Sequence, residues 1–125
     1  MFQNQSLMRQ IEGMLMELGM SPALKGFHYL AQCVYLCVED IGRVHSMIAK
    51  VYGPVGAATG GDYQQVERSI RHLVKSFVDR NRIQELNRML HARLYTAGDY
   101  PCNSELIACL AEHIRLHQDG DPRAI

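Results

Sequence analysis

A chain of 125 residues, 47% of them apolar, is the size of one ordinary domain and can bury a core without disulfides or a structural metal. Its 13 Lys and Arg balance its 13 Asp and Glu, so it lacks the overall basic excess usual in nucleic-acid-binding domains. The absence of a long apolar run excludes a transmembrane helix, and a polar start from Met1 to Met8 has no signal-peptide core, so the cytoplasm is the expected compartment.

Apolar spacing reads as helix almost throughout. Leu7, Ile11, Met14, Leu15 and Leu18 recur at helical intervals, and Gly19 stops the first helix before a turn at Ser21-Pro22. Leu30, Val34, Cys37, Val38 and Ile41 form a second stripe, broadened by Tyr29, Tyr35 and Leu36. Val44, Met47, Ile48 and Val51 predict a shorter third helix that Gly53-Pro54 should end. Pro54 suits the first turn of a very short fourth helix running to Thr59, which Gly60-Gly61 breaks. Asp62 can cap a fifth helix, Tyr63 to Asp79, with Val66, Ile70, Leu73 and Phe77 on its inner face. Ile83, Leu86 and Leu90 predict another short helix. After a loop with Gly98 and Pro101, Asn103 or Ser104 should cap a last one, turned inward at Leu106, Ile107, Leu110, Ile114 and Leu116. The tail from Gln118 to Ile125 is expected to fray. Strand signals are weak, and no linker or repeat divides the chain. The expectation is an all-α, compact bundle of about six helices with an ordered core over roughly residues 5–117.

The segment from Gly53 to Phe77 meets the demands of a helix-turn-helix. Gly56 and Ala57 are small enough for close helix contact, Gly60 sits at the turn, and Val66 and Ile70 can anchor the second helix. The outward face of that helix holds Gln64, Gln65, Glu67, Arg68, Arg71, His72 and Lys75. Arg can bond guanine O6 and N7 together, Gln can pair with adenine, and Glu can accept from cytosine N4. Gln64, Arg68 and Arg71 lie three or four apart and share one stripe. From Gln64 to Arg93 the cations Arg68, Arg71, Lys75, Arg80, Arg82, Arg88 and Arg93 outnumber the acids Glu67, Asp79 and Glu85. A solvated face of an ordinary helix has a similar composition, so periodicity alone leaves both readings open.

Four segments go further: Glu17 to Met20 followed by Leu24 to Leu30, Ile48 to Tyr52, Val66 to His72, and Asn103 to Ala108. The pairing of Leu-Lys-Gly-Phe-His-Tyr-Leu with Val-Glu-Arg-Ser-Ile-Arg-His resembles the C-terminal effector domain of the stage-zero sporulation response regulator A family of Firmicutes. The likeness runs from about Leu7 to His117. It implies a sequence-specific DNA-binding transcription regulator of sporulation initiation that reads double-stranded promoter boxes through Glu67, Arg68 and Arg71, with Gln64, Gln65 and Lys75 beside them. It also implies a contact with the polymerase sigma factor near Asn81 to Leu94, a monomer in solution that can dimerise on DNA, and no cofactor or metal in this segment. Gln65 departs from the family's usual Arg, Gly56 from its Ala, and Thr59-Gly60-Gly61 makes the turn less apolar. Asp119 and Asp121 make an acidic tail where a basic one is expected. The family's receiver domain is absent, so the chain is either a piece of a longer protein or a naturally receiverless relative.

Three other readings carry less. Cys109, His113 and His117 fall at i, i+4 and i+8 and could present zinc or copper ligands, but the same register fits a core edge, which is preferred. Cys33 and Cys37 read as buried thiols acting as small hydrophobes. No P-loop, Gly-x-Ser-x-Gly or His-Glu-x-x-His motif supports an enzyme. The alternative of a different class is a non-DNA-binding interaction module acting on sigma factor or a full-length relative, motivated by zero net charge and Gln65.

Overall fold

The computed structural model describes residues 1–117, and every regular element among them is helical. The expectation about the Gln118–Ile125 tail lies outside the described residues. The first helix, α1 (Gln5–Leu18), opens on Asn4, whose Oδ1 accepts from the Leu7 N–H at 3.0 Å, and buries Leu7, Ile11, Met14, Leu15 and Leu18. Next, α2 (Lys25–Glu39) is buried on nearly every side, from Gly26 and Phe27 to Cys37 and Val38. A helix apolar all round belongs at the centre, and α2 packs most extensively on the fifth and last predicted helices and then on α1. It ends at Glu39, earlier than the stripe through Ile41 implies, because Asp40 leaves the helix in an extended conformation.

The predicted helix through Val44 and Val51 needs correction. The chain forms a tight 3-10 helix over Ile41–Ser46 and a wide π-helix over Ile48–Tyr52. Gly53-Pro54 does not end it: Gly53 keeps helical angles, φ −60 and ψ −54, and the winding runs directly into α3 (Gly53–Thr59). Pro54 occupies the first turn of α3, where its missing N–H is tolerated. The strain of a proline within continuous winding is taken up by the π-turn, in which the Gly53 N–H bonds the Ile48 carbonyl five residues back.

Then come α4 (Tyr63–Asp79), α5 (Ile83–Leu90) and α6 (Asn103–Leu116). The α6 start also differs from expectation. Cys102 is its N-cap and makes no side-chain capping bond, while Asn103 is turned elsewhere. Leu116, placed on the inner face, is 37% exposed. The core joins α1, α2, α4 and α6, with Ile83 and Leu86 of α5 closing it beside α1. No helix among the described residues is long and apolar enough to cross a membrane.

Candidate nucleic-acid interface

The α3–α4 unit is built from the turn outward. Gly60 closes α3 in the left-handed region at φ +80, where a side chain would add strain. The Gly61 N–H then bonds the Gly56 carbonyl at 2.8 Å, and the Thr59 hydroxyl donates to the Val55 carbonyl at 2.9 Å. Asp62 caps α4 as its sequence predicts, its Oδ1 accepting from the Gln65 N–H at 2.8 Å. Gly56 provides the close approach, since a Cβ there would stand 2.8 Å from the Asp62 carbonyl carbon. Ala57, expected to share that contact, is exposed: it lies on the solvent side of so short a helix.

Six residues of α4 (Val66, Ile70, Leu73, Val74, Phe77 and Val78) are buried against the core. Each large apolar side chain removed from water is worth roughly 1.5–3 kcal/mol, so the opposite face is presented on a firmly seated helix. Gln64, Arg68, Arg71, His72 and Lys75 are exposed there, and Glu67 is half-buried at its edge. The predicted residues are not all together. Gln65 is half-buried, its amide lies over Gly61, and it lines a separate cleft with Lys25, His28 and Gln32.

Electrostatics along the exposed stripe are partly internal. Arg71 forms an i,i+4 ion pair with Glu67, in the favourable order with the acid N-terminal. Lys75 donates to Asp79 Oδ2 at 2.7 Å, and the Tyr100 hydroxyl donates to Asp79 Oδ1 at 2.5 Å. The hydrogen bonds from Lys75 and then Tyr100 hold the Asp79 carboxyl below the ordinary carboxylate range. The bond to Asp79 raises Lys75 above the usual ammonium range. Arg68 has neither an ion-pair nor a hydrogen-bond partner among the described residues, leaving its five N–H donors available.

The sequence reading missed the loop that walls this face. Tyr100 and Pro101 stand beside Arg68, Arg71, His72 and Lys75 around an open groove of about 500 Å3. Cys102, Asn103 and Ser104 continue the wall beside Tyr52, Glu67 and Arg71. Asn103, freed from the capping role expected of it, donates from Nδ2 to the Glu67 carbonyl at 2.9 Å and ties α6 to the middle of α4. Burial, then the neighbouring Cys33 and Glu67, pushes the Tyr52 phenol upward, so it stays a neutral floor to this groove. No local pattern marks these residues, the first of which, Tyr100, lies 21 positions beyond the end of α4 at Asp79; a large aromatic before a proline in a polar loop is the one signal the sequence offers.

Elsewhere, Cys33 and Cys37 are buried free thiols, with burial pushing Cys37 up to about 11. Their chemistry is therefore that of small hydrophobes. Among the described residues no three His, Cys, Asp or Glu side chains converge as metal ligands. The rings of His113 and His117, tilted by 35° with centroids 4.3 Å apart, are held by the His117 Nδ1–H donating to the His113 carbonyl at 2.7 Å.

A helix pair with a tight glycine turn, seated by α4's inner face and outwardly rich in Arg, Gln and Glu, is consistent with a helix-turn-helix. A family model described as Sporulation initiation factor Spo0A C terminal matches residues 11–114, spanning α1 from Ile11 to α6 at Ile114 and including every residue discussed on α4. The chain belongs to that family of sporulation regulators, whose domains are DNA-binding and regulatory and not enzymes.

Proposed function

We propose that α4 enters the major groove of double-stranded promoter DNA and reads short boxes in sporulation genes from the cytoplasm. Glu67, Arg68 and Arg71 face the bases, Gln64 is available to an adenine, Gln65 lies toward the turn, and Lys75 meets a phosphate. The observation that carries this reading is Arg68, exposed and without an ion-pair or hydrogen-bond partner among the described residues, on a helix whose other face is fully seated. The Glu67–Arg71 pair does not stand in the way. An exposed i,i+4 pair is worth about 0.3–0.5 kcal/mol, whereas a bidentate Arg–guanine contact gives ~1–3 kcal/mol of discrimination. The base contact wins the exchange.

Arg68→Ala should therefore cost ~1–3 kcal/mol in specific binding and relax the preference at one base pair, read by titrating promoter DNA and its point variants. Lys75→Ala should weaken binding to all sequences and reduce the salt slope by about one. The reading fails if the wild-type chain shows no salt-sensitive binding to promoter DNA at low ionic strength. One observation favours a second reading, a protein-interaction module: two of the three α4 cations are already neutralised by Glu67 and Asp79, and the net charge is zero. On either reading, Asn81 to Leu94 offers the sigma-factor contact, with Gln84, Arg88, Arg93 and Leu94 exposed. The chain would act as a monomer in solution that can dimerise on DNA.

A further inference from the structure

We propose that Arg43 is a positioning residue for the α3–α4 unit, supplying the hydrogen-bond donor that Pro54 withholds from the Lys50 carbonyl. In regular α-helical winding the N–H of residue 54 would donate to the carbonyl of residue 50. Pro54 has no N–H, and its ring crowds that carbonyl. Two features of this chain answer the defect. Gly53 permits the π-turn, since a Cβ there would stand 2.9 Å from the Ile48 carbonyl oxygen. Arg43 Nη1 then donates to the Lys50 carbonyl at 2.6 Å.

The aim of Arg43 is itself built in. Asp40 caps the 3-10 helix, its Oδ1 accepting from the Gly42 N–H and its carbonyl from the Arg43 N–H, both at 3.1 Å. The Arg43 Nε is buried without a partner. Holding the guanidinium there has a desolvation cost, which the charge-assisted bond to Lys50 offsets. Beyond that bond, Val51, Tyr52, Val55 and Gly56 are all buried, and Gly56 rests against the Asp62 backbone at the start of α4. A shift at Lys50 therefore passes through a packed helix to the N-terminus of α4. Arg43 lies outside the exposed α4 stripe, so its influence runs through backbone geometry.

The consequence for DNA affinity rests on the reading of α4 as the DNA-reading helix, and the test separates the two. Arg43→Met, Pro54→Ala and the double variant of the full chain are compared by amide hydrogen exchange across Val51 to Thr59 and by promoter-DNA titration over a range of salt. Arg43→Met should speed exchange and weaken DNA binding about three- to tenfold with an unchanged salt slope. In the Pro54→Ala background its effect should shrink to less than about twofold, because the alanine N–H can donate to the Lys50 carbonyl. Equal losses in both backgrounds overturn the proposal. So does a salt slope lowered by about one, which marks a direct phosphate contact. If the wild-type chain binds no DNA, the function reading falls, while the exchange cycle still decides the role of Arg43.

Discussion

The helix α4 and the connector from His91 to Cys102 lie side by side around one groove, yet their order has different origins. In α4 it is local: an Asp cap, an apolar stripe and a polar face follow one another at helical spacing. The connector has no regular structure, and its order comes from side chains that reach across the sequence. Buried Asn87 accepts the N–H groups of Leu94 and Tyr95 at Oδ1, both at 3.1 Å, and donates from Nδ2 to the Tyr95 carbonyl at 2.6 Å. Asp99 Oδ2 closes the next turn on the Thr96 N–H at 2.8 Å and hydroxyl at 2.9 Å. Tyr95 then bonds Glu105, and Tyr100 bonds Asp79. A helix can be read from its period, but a connector has to be read from its donors and acceptors.

One substitution should strike each region hardest. At Gly26, where α2 crosses α4, an added Cβ would stand 2.2 Å from the Ser69 carbonyl oxygen and 2.9 Å from Leu73 Cβ. Both helices are fixed by other packing, so Gly26→Ala should destabilise by ~3 kcal/mol, seen as a lower urea midpoint with unchanged slope. An unaltered midpoint would mean that α4 can slide on α2, and that its exposed face is less firmly presented than its burial implies. In the connector, Asn87→Ala strips three backbone groups of their partner at once. The expected loss is ~2 kcal/mol, with faster proteolysis near Leu94 and Tyr95. If cleavage there is unchanged, the connector is ordered by something other than Asn87.

The same contrast explains what was legible in the sequence. The all-α class, the Asp62 cap, the α4 limits and the buried set from Val66 to Phe77 follow from short-range rules, which hold because nothing distant opposes them. The segment over Ile41–Tyr52 is not legible in this way, because Gly53-Pro54 has the composition of a helix stop. Ahead of Pro54 the helix instead widens into the π-turn, with Gly53 keeping helical angles and Arg43, seven positions before Lys50, bonding the Lys50 carbonyl. For Ala57 and Asn103, residue type suggests a close helix contact and a cap, but the packing leaves Ala57 exposed and turns Asn103 to the Glu67 carbonyl. Gly26 lies inside the Leu24 to Leu30 segment, but the need for glycine there, against the Ser69 carbonyl, exists only once α2 and α4 cross. On α4 the outward residues were identifiable; the Gln65 amide folding back over Gly61, and the Tyr100 wall, are properties of the assembled surface.

Smaller effects test the comparison more finely. Asp62→Ala removes one accepted backbone bond at the start of α4 and should cost about 1 kcal/mol. Hydrogen exchange should rise at Gln65 and its neighbours and not in the connector; a rise in both would show that the two regions unfold as one.

The smallest effect concerns the bond that joins them. The Asp79 carboxyl is held low by Lys75 and then Tyr100, so its contribution to stability is present above the unfolded carboxylate value of 3.8 and fades as pH falls through the lower folded value. Lys75, raised by the same bond, contributes below its unfolded value of 10.5 and loses that contribution as pH rises through the folded one. Between those limits both hold. Asp79→Asn should therefore lower the urea midpoint slightly at about pH 6 and hardly at all at a pH below the lowered folded value, where the wild-type carboxyl is itself protonated. The groups are exposed and screened, so added salt should shrink the neutral-pH difference further. A difference that is the same at both pH values would assign the coupling of α4 to the connector to Asn103 and the apolar contact of Pro101, with the Lys75–Asp79–Tyr100 chain contributing nothing through its charge.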